Sequence, residues 1–304
     1  MRSPSVPCPI PAIIPERTFP GSVGWPIVVT RHIPLPALVM LSVACSPADT
    51  RGRAVPLPEI VASVAGGTIT APDTVHAGWT RLRVNEDGEG HILVVFRFHD
   101  DSGTDSSVGA DSSEFLAALD TAPNTPPAAV ALGGPEIGDT GEVILRFRAG
   151  RHLIACVRRA EDGHRHASLG EAKMFVVVDR RDSTEAAQEP IATDTVTMMD
   201  FAYGAADRWP AGRRLVRVEN TGQEDHQLRI VRLRDSTMVT AWLRQEESAR
   251  AEGIAGVARM GAGEVAYLPL DLAAGTYVMH CLVAGRGEGK PHIEMGMFKV
   301  VKSE

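Results

Sequence analysis

The sequence is poor in aromatic residues, which make up 5% of it, and in cysteine, of which there are four in 304 positions. Four cysteines in a chain of this length exclude a disulfide-built scaffold. The chain also lacks any uninterrupted apolar run of the roughly 20 residues that a membrane-spanning helix needs, which excludes a polytopic helical membrane protein. It lacks an excess of basic charge: the formal net charge is −7, which speaks against nucleic-acid binding. No Gly-x-Gly-x-x-Gly opens a helical pattern and no Gly-Lys-Ser/Thr is present, so no nucleotide-binding loop is signalled. Gly-x-Ser-x-Gly is absent too, and with it the nucleophile elbow of many hydrolases.

What is present is an ordinary globular composition, 44% hydrophobic and 23% charged, with 29 glycines and 21 prolines. So much glycine and proline beside so few aromatics predicts short elements joined by many turns. A prior of about 150 residues per domain gives about two domains.

The first segment reads as an address rather than a fold. Residues 1–27 are Pro-rich and show no periodic pattern. Arg31 and His32 then precede an uncharged stretch from Ile33 to Ala44, followed by Cys45. A basic start, a short apolar stretch and a small-residue end have the form of a secretory signal. Leu41-Ser42-Val43-Ala44-Cys45 resembles a bacterial lipobox, although Ser42 replaces the usual aliphatic residue. The resemblance implies cleavage before Cys45, lipidation of its thiol and attachment to a membrane through that lipid alone, in the periplasm or on the outer cell surface. The Pro-rich lead suggests a true start near Val28 or Val29. On this reading residues 1–45 are leader and signal, and residues 46–58 a polar tether.

The remainder reads as one unit written twice. Asn85-Glu-Asp-Gly-Glu-Gly-His91 aligns without gaps on Asn220-Thr-Gly-Gln-Glu-Asp-His226. Gly134 and Gly141-Glu142-Val143 match Gly256 and Gly263-Glu264-Val265 at equal spacing. Ala149-Gly150…Cys156 matches Ala274-Gly275…Cys281, and Asp162-Gly163-His-Arg-His166 matches Glu288-Gly289-Lys-Pro-His292. Blocks in one order point to a duplication. They predict domains over residues 59–180 and 194–304, joined by a polar linker over 181–193. Within each copy the apolar runs are short, often alternating and rich in β-branched residues, as in Val143/Leu145/Phe147. That pattern predicts an all-β chain of two tandem Greek-key β-sandwiches. The clearest helical candidates are Ser113–Leu119 and Val239–Ala251.

In the second copy one set of residues carries chemistry. His226 stands upstream; Gly275-Thr-Tyr277 leads to Cys281; His292 and Met297 follow. In this order the residues resemble the cupredoxin, or blue-copper, family, and the resemblance extends over both copies. It implies cupredoxin-like sandwiches and one type 1 copper held by His226, Cys281, His292 and Met297, with Met295 as a competing axial ligand. A thiolate and two imidazoles with a weak thioether suit both Cu(I) and Cu(II). The loop of ten residues between Cys281 and His292 is longer than in small electron carriers. The first copy offers His91, Cys156 and His166, with His164 as a spare. It has Glu171 where Met297 aligns, with Leu169 and Met174 nearby, and reads as a degenerate, metal-free site or a three-ligand second one. A Cys156–Cys281 disulfide is the alternative use of the thiols, and their equivalent places in separate copies speak against it.

The resemblance extends to two-domain copper nitrite reductases and laccases, so an enzyme is weighed as well. His280 beside Cys281 is the neighbour those enzymes use to feed a second copper centre. Leu282 and Val231 occupy places where they carry further histidines, and His280 reads equally as an outward strand residue. The chain is therefore read as a carrier or copper-holding protein with a redox partner protein. A copper-free structural or interaction module at the cell surface is the alternative.

Overall fold

The computed structural model describes residues 56–88, 90–99, 112–136, 140–180, 188–246, 249–287 and 289–304. The leader with Cys45, tether residues 46–55 and linker residues 181–187 lie outside the described residues.

The first half contains β1 (Glu59–Ala65), β2 (Thr68–Thr70), β3 (Thr74–His76), β4 (Gly78–Glu86), β5 (Leu93–Phe98), α1 (Ser112–Thr121), β6 (Ala129–Gly133), β7 (Thr140–Phe147), β8 (Gly150–Cys156) and β9 (Ala172–Val178). The second contains β10 (Asp194–Met199), β11 (Ala202–Gly204), β12 (Arg208–Trp209), β13 (Gly212–Asn220), β14 (His226–Leu233), α2 (Val239–Leu243), β15 (Ala251–Met260), β16 (Val265–Leu272), β17 (Gly275–His280) and β18 (Phe298–Ser303).

These strands form two sheets, ordered β11-β10-β13-β16-β7-β4-β1-β2 and β12-β18-β17-β14-β15-β6-β5-β8-β9-β3. Exchanging the halves leaves each order unchanged. The first strand of each half lies parallel to its later neighbour: β1 to β4, and β10 to β13. These crossings give the Greek-key connectivity. The two sandwiches meet edge to edge, through Ala266↔Leu145 and Tyr267↔Ile144 in one sheet and Met260↔Leu132 in the other. Closing those edges on each other removes strand edges that would otherwise stand open.

The alternation that marked the strands sets which face is buried. In β1, Ile60, Ala62 and Val64 point inward and their neighbours face out. The inner faces pack into one core that runs through both halves and includes Leu82, Leu145, Ile154, Leu228, Ile230 and Met279. Burying each such Leu or Ile contributes roughly 1.5–3 kcal/mol. Cys156 and Cys281 belong to the same core. Helix α1 covers the outer face of the second sheet, where Phe115 and Leu119 pack on Phe96 and Leu153.

The helix predicted over Val239–Ala251 is shorter than expected. It stops at Leu243, Gln245 takes a left-handed φ of 59°, and Ala251 already opens β15. A left-handed residue cannot continue a right-handed helix.

The matched glycines have a common steric reason. A Cβ on Gly134 would lie 2.0 Å from the Leu93 carbonyl oxygen, and one on Gly256 would lie 2.4 Å from that of Leu228. Each glycine lets two backbones approach just beyond the first histidine of its half. In the second half the strand is irregular there, with a register shift between His226 and Leu228. Such bulges re-aim side chains at sheet ends.

Candidate metal centre

Four elements converge at one end of the second sandwich. His226 opens β14, Cys281 follows β17, His292 lies in a short 3-10 turn over His292–Met295, and Met297 precedes β18. All four residues are completely buried. The turn is fixed by its own backbone: the Met297 N–H donates to the His292 carbonyl at 2.9 Å, and the Cys281 N–H donates to the Met297 carbonyl at 3.3 Å.

The donor atoms of His226, Cys281 and His292 lie within 4.8 Å of one another. The two Nδ1 atoms are 3.0 Å apart, and Cys281 Sγ is 3.5 Å from His292 Nδ1. The opposite ring edges are held by carboxylates. His226 Nε2 is 3.0 Å from Asp200 Oδ1, and His292 Nε2 is 3.1 Å from Glu224 Oε2. A carboxylate there accepts a hydrogen bond from Nε2–H, which favours the tautomer that leaves the Nδ1 lone pair free. Burial lowers the His226 pKa, which keeps that ring neutral. The two Nδ1 atoms thus face one buried point, where a cation could be held between them.

The Cys281 thiol is pushed up to about 12 by burial, partly offset by backbone N–H groups of Gln227 and Val283. The Gln227 N–H reaches Sγ at 3.4 Å. Without metal the sulfur therefore carries its proton; a bound cation displaces it and is neutralised in part by the thiolate. Cys156 and Cys281 are both free, so they form no disulfide.

Met295 lies at the outer edge of this cluster. A Cβ on Gly285 would stand 3.3 Å from Met295 Sδ and 3.5 Å from His292 Nε2, the ring edge away from the donor cluster. Met297 is the buried thioether on the backbone step that links His292 to Cys281. The set His226, Cys281, His292 and Met297 fits one type 1 copper: two imidazoles, a thiolate and a weak soft ligand in a dry pocket.

Several supporting residues gave no sequence signal. Asp200 and Phe201 form the two-residue turn between β10 and β11, where Met199 pairs with Ala202. Phe201 has φ 64°, a strained conformation for a side-chain-bearing residue costing about 1–3 kcal/mol. The turn places Asp200 on His226 and sets the Phe201 ring edge-on to His292, centroids 5.3 Å apart. The matching turn in the first half, between β1 and β2, is Gly66-Gly67. The positive φ of Phe201, where the other copy has glycine, is visible only in the structure.

The first half brings together His91, Cys156, His166 and Glu171, again within 4.8 Å of one another. Glu171 Oε2 is 2.8 Å from His91 Nδ1, and Cys156 Sγ is 3.7 Å from the same nitrogen. The three candidates therefore converge, and Glu171 joins them. Leu169 is 59% exposed, and Met174 sits opposite Leu153 in the β8–β9 ladder, packed against the α1 cluster. His164 is bound instead to Asp120 of α1 at 2.7 Å.

His280 lies on the outer face of its sheet, as read, but is covered there. It is buried beneath Trp242, the ring centroids 5.0 Å apart, and burial pushes its pKa down to about 4. Among the described residues it belongs to neither donor cluster.

No protein-family model matches the sequence, and no curated protein matches it either. Among solved structures, the chain is similar to a reduced auracyanin from Roseiflexus castenholzii at 22% identity, over 36% of this chain and 94% of that one, with a TM-score of 0.27. It is similar to a multicopper oxidase at 14% identity, over 81% and 88% of the two chains, with a TM-score of 0.23. It is also similar to the copper nitrite reductase of Nitrosomonas europaea at 11% identity, over 82% and 84%, with a TM-score of 0.23. The described residues themselves form two sheets whose strand order is mirrored between the halves, with the connectivity of Greek-key β-sandwiches. Among those residues no helix is long and apolar enough to cross a membrane.

Proposed function

We propose that this protein is an exported copper protein, tethered to a membrane through a lipid on Cys45, whose second half passes single electrons or holds copper. The observation that carries the copper reading is the pair of Nδ1 atoms on His226 and His292, 3.0 Å apart, with both Nε2 edges occupied by carboxylates. Copper bound there would cycle between Cu(I) and Cu(II). The chain's contribution is to hold both rings and the sulfur in place and to exclude water. A rigid pocket at the end of a sandwich needs little rearrangement on electron transfer. The mirrored strand order supports reading the halves as one fold duplicated. Transfer of an electron requires a redox partner protein.

Copper titration of the mature protein tests this. One equivalent should give an intense visible thiolate-to-Cu(II) band that is lost in Cys281→Ser. Copper-loaded protein without that band would exclude redox use of the site. A protein that takes up no copper and gains no thermal stability from it is instead a structural module. Mass spectrometry of the mature N-terminus tests the anchor: a diacylated Cys45 is expected, and a peptide reaching upstream of Arg31 would refute the signal.

A further inference from the structure

We propose that the first half holds a second metal ion of a different kind: a divalent cation bound by His91, Cys156, His166 and Glu171 that keeps one oxidation state. The backbone establishes that Glu171 takes the place of Met297. The Glu171 N–H donates to the His166 carbonyl at 3.0 Å, as that of Met297 does to His292, and the Cys156 N–H donates to the Glu171 carbonyl at 3.0 Å, as that of Cys281 does to Met297. The place that Met297 fills in the second half thus carries a carboxylate here.

The four groups are spaced for coordination. Glu171 Oε2 lies 2.8 Å from His91 Nδ1, and Glu171 Oε1 lies 3.1 Å from His166 Nδ1. Cys156 Sγ lies 3.7 Å from His91 Nδ1. Ligands at about 2.0–2.3 Å around a four-coordinate ion stand roughly 3.3–3.7 Å from one another, so small side-chain shifts close the shell. His166 Nδ1 is buried and makes no hydrogen bond of good geometry, which leaves a donor atom aimed into the cluster. Asp87 Oδ1 holds the far edge of His91 at 3.2 Å, the outer support that metal-binding imidazoles have.

Charge separates the two sites. Cys156 thiolate and Glu171 carboxylate together carry two negative charges, which balance a divalent ion. Reducing that ion would leave a net negative charge in a buried space, where uncompensated charge is costly. In the second half the thiolate of Cys281 is the one anionic ligand beside a neutral thioether, and Cu(I) leaves the shell uncharged. The first site therefore suits zinc, or copper kept as Cu(II), and a carboxylate oxygen prefers such harder ions.

The test uses the full chain carrying Cys281→Ser, so that a thiolate-to-metal band reports Cys156 alone. Titration with Co(II) should give one equivalent with a thiolate charge-transfer band and the strong visible absorption of a four-coordinate ion, and Zn(II) should displace it. Glu171→Gln, which keeps the side chain's shape, should weaken Co(II) binding at least tenfold. Absence of the band would overturn the site. Unchanged affinity and spectrum in Glu171→Gln would overturn the carboxylate's role. Cu(II) in this protein should resist reduction by ascorbate, and ready bleaching would overturn the single oxidation state. The second-half site is read separately in Cys156→Ser, so either site can fail without the other.

Discussion

The Nδ1 atoms of His226 and His292 face each other at 3.0 Å in a buried space, while Asp200 and Glu224 hold the opposite ring edges. The carboxylates do not touch the donor cluster's centre, yet they decide which nitrogen is left to bind. Asp200→Ala and Glu224→Ala should each weaken copper binding by about 10–100-fold while leaving the thiolate band in place at saturating copper. Competition against a calibrated copper chelator measures this. Unchanged affinity in both variants would show that packing alone orients the rings.

Copper binding should release a proton across the neutral range. Burial pushes the Cys281 thiol to about 12, so the metal-free sulfur is protonated at any ordinary pH. The His226 pKa is lowered, so above its usual value that ring has no proton to give up. One proton leaves per ion, and the apparent affinity should rise about tenfold for each pH unit from 7 to 9. Isothermal titration in buffers of different ionisation heat counts the proton. A pH-independent affinity would mean that the thiol is already ionised without metal.

The two methionines near the loop should separate cleanly. Met297 is completely buried on the step between His292 and Cys281, whereas Met295 Sδ lies beside Gly285, near the Nε2 edge of His292. Met297→Leu should shift both the reduction potential and the visible band, because the axial ligand tunes both. Met295→Leu should leave them nearly unchanged. Spectroelectrochemistry of the two variants reads the difference, and the opposite pattern would move the axial ligand to Met295.

The His-Cys-His order was legible in the sequence because each half repeats it at matching places, while the fourth position differs, Met297 against Glu171. The sandwiches were legible because alternation and glycine spacing are local. What supports the ligands was hidden for a physical reason: it arrives from distant strands. In the first half Asp87, four residues before His91, supplies the carboxylate on its Nε2. In the second half Gly222 aligns with Asp87, and a Cβ there would strike Asp200 Oδ1 at 2.4 Å. Asp200 fills that space from the β10–β11 turn, a solution no alignment of the halves shows. The burial of His280 was hidden likewise. Alternation places it on the outer face of its sheet, but only the tertiary structure brings Trp242 against it.

Glu136 links the halves next to this site. It lies in the first half, is almost wholly buried, and accepts from Gln227 Nε2 at 3.0 and 2.9 Å, with Arg229 Nε 3.0 Å away. Gln227 is also the residue whose N–H reaches Cys281 Sγ. Burial raises the Glu136 pKa to about 7 from 4.5, with Arg229 and Gln227 pulling the other way. Between those values the unfolded chain has lost its proton while the folded chain keeps it. The unfolded state binds fewer protons there, so stability falls as pH rises from about 4.5 to about 7. At 1.36 kcal/mol per pKa unit the loss is of the order of 3 kcal/mol. Glu136→Gln removes the titrating group and keeps an amide that can accept from Gln227. Urea unfolding of chelator-treated protein should show stability decreasing over this range in the wild type, with a shallower slope in the variant, which should be the more stable above pH 7. Equal slopes would mean that Arg229 keeps Glu136 ionised throughout, and the carboxylate would then act as the fixed counter-charge of that arginine.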